Sequence, residues 1–108
     1  MVKNMDAIKY LQEWFCSQCN GDWEHNYGIS ISTIDNPGWS LKINLTDTDL
    51  YDRKFQEVSF FVQEKAQWYQ CKVKAGFFEA ACDPRSLSTV ILIFLSWAGW
   101  SSEAISAK

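Results

Sequence analysis

A chain of 108 residues, 47% of them hydrophobic, is long enough for one modest core and too apolar to stay disordered. Its net charge of −3 is unevenly spread: residues 20–52 hold Asp22, Glu24, Asp35, Asp47, Asp49 and Asp52 against Lys42 alone, a local balance of −5. That distribution argues against nucleic acid, which needs a basic footprint, and suits a basic protein partner, although a solvated acidic surface needs no partner at all.

The first periodic segment is 5–19, where Met5, Ile8, Leu11 or Gln12, and Phe15 follow helical spacing with Trp14 beside them. Asn4 or Asp6 can cap its start, and "CNG" at 19–21 can end it. "YGISISTID" then alternates apolar and polar residues, which predicts a half-buried strand. "DNPG" at 35–38 reads as a type II turn, with Asp35 or Asn36 bonding nearby backbone, Pro37 fixing φ and Gly38 at positive φ. In "WSLKINL", Trp39, Leu41, Ile43 and Leu45 share one face, so 28–45 is a β-hairpin.

After the polar "TDTDLYDRK", strands are expected near 56–64 and 67–74, joined by "EKAQ". In the second, Tyr69, Cys71 and Val73 share a face and Trp68 lies on the other. "GFFEAACD" gives a fifth strand. "DPRS" opens a last helix, with Asp83 as N-cap and Pro84 in first place. Leu87, Val90, Ile91, Phe94 and Trp97 or Ala98 form its buried stripe, and Gly99 ends it. The expected fold is α+β: an N-terminal helix, an antiparallel five-stranded meander and a C-terminal helix, in two layers. With no repeat or linker, residues 1–108 read as a single domain with an ordered core at about 5–98; the tail 99–108 is weakly determined.

"MVKNMDAIKYLQEW" carries polar residues where a secretory segment would be apolar, and "VILIFL" is too short to span a bilayer. A cytoplasmic setting is expected, with no membrane partner and four reduced cysteines. No oligomeric state is legible.

Three sets of residues invite a functional reading. Asp22, Glu24 and His25, in "GDWEH", look like an acid–base set. In an extended stretch the two acids point one way and His25 the other with Trp23, so one catalytic cluster is not favoured. No catalytic or phosphate-cradling motif accompanies them, and no enzyme activity is expected. Cys16 and Cys19, in "CSQC", with His25 as a third ligand, would give a metal or thiol protein. The pair falls at a helix C-terminus, where the dipole disfavours thiolate, and structural zinc needs a fourth ligand. Plain thiols without cofactor are the preferred reading. The third set is an acidic and aromatic face. Six Trp are more than one small core is expected to take, and Trp is the residue most enriched at binding hot spots. Candidate partner-binding residues are Asp22, Trp23, Glu24, His25, Asp35, Asp47, Asp49 and Trp68, the acids gathered at one end of the sheet; Asn36, Pro37, Gly38 and Trp39 are assigned to turn structure.

"LQEWFCSQCNGDWEHNYGISISTIDNPGW", followed by "INLTDTDL", "WYQCKV" and "FEAACDP", resembles the immunity protein 53 family of bacterial polymorphic toxin systems. The likeness runs over about residues 6–98 and is densest at 21–39. It implies a small cytosolic protein, made beside a toxin, that binds and neutralises it without catalysis. A basic nuclease cleft would suit the acidic face.

Overall fold

The computed structural model describes residues 6–100; Asn4, Met5 and the tail beyond Trp100 lie outside the described residues. In chain order the elements are α1 (Ala7–Gln18), α2 (Trp23–Asn26), β1 (Ile29–Ile34), β2 (Gly38–Asn44), β3 (Val58–Val62), a 3-10 turn (Gln63–Lys65), β4 (Gln67–Lys74), β5 (Phe77–Cys82) and α3 (Leu87–Trp97).

The Asp6 carboxylate caps α1 by accepting from the Lys9 N–H at 3.1 Å. Ala7, Leu11 and Trp14, spaced four and three apart, form its buried stripe. The C-terminus of α3 closes as the glycine predicts. Gly99 takes φ +92, its N–H bonds Ser96 O, and the Trp100 N–H reaches back to Leu95 O at 2.7 Å.

All strand pairs are antiparallel, and the order across the sheet is β1-β2-β5-β4-β3. The fold is the expected α+β arrangement, with one refinement to the meander. It runs in two parts: after β2 the 45–57 connection crosses to the far edge, and β3, β4 and β5 return until β5 lies beside β2.

The register sorts side chains to two faces. Trp39, Leu41 and Ile43 sit opposite Cys82, Ala80 and Phe78, which sit opposite Tyr69, Cys71 and Val73. This face meets the buried Trp14 of α1 and Val90, Ile91, Phe94 and Leu95 of α3. Phe78 lies at its centre, edge-on to Phe55 and Phe94; each such side chain contributes roughly 1.5–3 kcal/mol on burial. The other face, with Ser40, Lys42, Trp68, Gln70, Lys72 and Glu79, carries no helix among the described residues.

Two local expectations are corrected. Gly38 does not adopt positive φ, so the turn is not the expected type II; the Asn36–Pro37 bond is cis. Gly38 already pairs with Ile34 as the first residue of β2, and a Cβ there would overlap the Cys82 carbonyl oxygen. Glycine is needed for close approach of the β5 backbone, not for a left-handed conformation. Asp83 is not the N-cap of α3 either. That position belongs to Ser86, with Leu87 first in the helix. The Asp83 carboxylate instead accepts from Trp68 N at 2.8 Å, Arg85 N at 2.8 Å and Ser86 Oγ at 2.6 Å. It is 4% exposed and pins the start of β4 to the turn before α3.

Candidate functional site

Within "GDWEH" the chain turns into a helix at Trp23 rather than running extended, and that reverses the roles read from its sequence. Asn20 Oδ1 accepts from the N–H groups of Asp22 and Trp23, both at 2.9 Å. In return the Glu24 carboxylate accepts from Asn20 N at 2.9 Å and Gly21 N at 2.8 Å. This reciprocal pairing, like that of a capping box, satisfies the free N–H groups of the corner. Hydrogen bonds from backbone N–H groups, its own first and then those of Asn20 and Gly21, hold the Glu24 carboxyl below its ordinary pKa despite some desolvation.

One helical turn sends Trp23 inward. It is 2% exposed and edge-on to Trp14, with ring centroids 6.0 Å apart. Its indole N–H donates to Thr46 O at 2.9 Å. Trp23 therefore offers no surface to a partner, and its place among the candidate contacts is corrected. Five of the six tryptophans pack into or against the core; Trp68 is the exception.

The Trp23–Thr46 bond ties the corner to the connection after β2. There Asn44 Oδ1 accepts from Thr46 N, and Thr48 Oγ1 donates to Leu45 O and accepts from Leu50 N. Leu50 is fully buried and anchors the loop. Asp47 adopts φ +63, a region that Asp enters more readily than most residues. Asp47, Asp49 and Asp52 are exposed on this loop, as are Asp22 and His25 on the corner. Asp35 does not join them. It lies at the other end of β2, which at its ordinary rise is about 20 Å long, in the β1–β2 turn.

Cys16 and Cys19 are exposed and Cys71 and Cys82 buried, all as free thiols. Burial, followed by the neighbouring Cys82 thiol, pushes Cys71 up to about 12. Burial and then the Asp83 carboxylate push Cys82 up to about 11. Desolvation first, and then Glu24 and Cys16, raise Cys19, which donates to Phe15 O; a raised pKa opposes thiolate chemistry. Among the described residues no three His, Cys, Asp or Glu side chains are grouped to hold a metal, so Cys16, Cys19 and His25 do not converge on one.

The uncovered face of the sheet holds a shallow depression of about 610 Å³. Ser40, Ser59, Gln70 and Ala81 line it, and Glu79 lies between Lys42 at 3.8 Å and Lys72 at 3.9 Å. Trp68 and Phe61, paired across β3 and β4, stand on this face. Of this surface only Trp68 is among the residues expected from sequence to meet a partner. The alternating polar residues of β2, β4 and β5 were the available signal for the rest.

A family model described as Immunity protein 53 matches residues 8–99. The chain belongs to the immunity protein 53 family. No curated protein and no solved structure is similar enough to count as a match. Family membership supports an immunity function and implies, in general terms, a protein partner of the toxin class. Among the described residues no helix is long and apolar enough to cross a membrane. The chain thus presents two distinct surfaces, an acidic corner built on buried anchors and an uncovered sheet face.

Proposed function

We propose that this protein is a stoichiometric inhibitor that binds one cognate bacterial toxin domain in the cytoplasm and masks its active surface, with no turnover of its own. The observation that carries this reading is the family match across 8–99. The acidic corner supports a choice of surface. Asp22, Asp47 and Asp49 are exposed, while Trp23, Thr46 and Leu50 hold the backbone beneath them. Charges presented on a rigid scaffold steer a basic partner and keep docking entropy low. A basic cleft, such as that of a nuclease, is the complement the corner fits.

The uncovered sheet face is the second reading, favoured by its concavity and by Trp68 beside Phe61. The test is co-expression with the C-terminal domain encoded by the open reading frame immediately upstream, as the candidate toxin. A one-to-one complex that abolishes the toxin's activity is expected. Failure to bind that domain, or reproducible turnover by the purified protein that Cys16→Ala or His25→Ala abolishes, would overturn the proposal.

A further inference from the structure

The two edges of the sheet differ. β1 exposes Ser30, Ser32 and Thr33 beside Ile31. β3, at the other edge, reads Val-Ser-Phe-Phe-Val, with Phe60 37% and Phe61 67% exposed. Phe60 stacks on Tyr69 with centroids 4.8 Å apart, so its ring is held in place and not free to fold away. One side of β3 is paired with β4 in an unbroken five-residue register, and among the described residues no strand lies on the other.

An edge of this kind is ordinarily blunted by a lysine, a proline, a bulge or an inward-pointing charge. Val58–Val62 has none of these. The segment is nearly palindromic about Phe60. In an antiparallel pairing with itself, Val58 faces Val62, Phe60 faces its own copy, and the small Ser59 faces the large Phe61. The flanking charges also avoid one another, because Glu57 falls opposite Gln63 and Glu64 opposite Gln56.

We infer that β3 is a self-association edge, at which two copies of this chain join by antiparallel β3–β3 pairing about a twofold axis through Phe60. The axis stands perpendicular to the sheet, so the joined sheet has ten strands with all helices on one face. The self-matching order of the five residues selects a second copy over an unrelated strand. Five residues a side bury less than the roughly 800 Å² per partner of a standard interface, so the dimer is weak and concentration-dependent. This inference does not depend on the acidic corner or on toxin binding.

Sedimentation equilibrium of the full chain tests it, from about 1 µM to about 1 mM. The mass is expected to climb from 12.5 kDa towards twice that value. Phe60→Lys, which sets two like charges face to face across the axis, should weaken association by about tenfold or more. Phe61→Lys weakens it less. Adding Ser59→Glu to Phe61→Lys should restore it, since each Glu then meets a Lys of the other copy. A mass fixed at 12.5 kDa throughout would overturn the inference. So would an unchanged association constant in Phe60→Lys, or failure of the Ser59→Glu and Phe61→Lys pair to outdo Phe61→Lys alone. Protection of β3 amides from exchange only when the toxin domain is added would assign the edge to the toxin instead.

Discussion

The two ends of β2 are built with the same devices and left with different surfaces. At the Asn44 end, the Trp23 indole donates to Thr46 O and the Glu24 carboxylate ties down Asn20 and Gly21. At the Gly38 end, the Trp39 indole donates to Pro84 O at 3.0 Å and the Asp83 carboxylate ties down Trp68 and Arg85. Each end thus uses one indole and one carboxylate to satisfy loop backbone. The difference is what remains: Asp22, Asp47 and Asp49 stay exposed at the first end, and Asp35 stands at the second. An acid count alone does not distinguish bracing carboxylates from those available to a partner; their hydrogen bonds do.

The comparison is tested most strongly through its indoles. Trp23→Ala should cost roughly 3–5 kcal/mol, the range for a large core side chain that leaves a cavity. Trp39 is only half-buried, so Trp39→Ala should cost less, roughly 2–3 kcal/mol. Chemical denaturation of the two variants would show the ordering, and equal losses would break the distinction. Next come the bracing carboxylates. Asp83→Ala removes three hydrogen bonds at a buried site and should cost roughly 2–3 kcal/mol.

The pH dependence follows from the same groups. For Asp83, desolvation pulls the pKa up, but donation from Ser86 Oγ and from the N–H groups of Trp68 and Arg85 brings it below its ordinary value. Glu24 is also lowered. A carboxylate with a lowered folded pKa contributes stability that is fully present above its unfolded value and is lost as pH falls through the folded one. Thermal melts should therefore be nearly level from neutral pH to about pH 5 and fall below it. Asp83→Asn should flatten that fall; a fall of the same depth in the variant would contradict the assignment.

Much of this architecture was legible in the sequence, and the misses share a cause. The β4 boundaries, the β1–β2 hairpin and the Gly99 cap follow from periodicity and local turn chemistry, which lie within a few residues. α2 is one turn long, too short for any period to register, and that turn decided the direction of Trp23. Gly38 was assigned to its turn because its true constraint, the Cys82 carbonyl, lies 44 residues away in the chain. Asp83 looked like a helix cap because its partner Trp68 is also distant in sequence. The crossing that sets β5 beside β2 is likewise a long-range pairing that short connections do not reveal.

The smallest effect on stability is expected where the effect on recognition is largest. Asp47→Asn with Asp49→Lys strips the corner of charge, and Asn keeps the tolerance for positive φ that Asp47 requires. The melting temperature should hardly move, since substitution of exposed charges changes stability by less than about 0.5 kcal/mol. The decisive measurement is the association rate of this double variant with the candidate toxin domain, at low and at high salt. Association should be slowed by about tenfold or more at low salt, with a flatter salt dependence than the parent protein shows. An association rate and salt dependence identical to those of the parent would contradict that expectation and move the binding surface to the uncovered face of the sheet around Trp68.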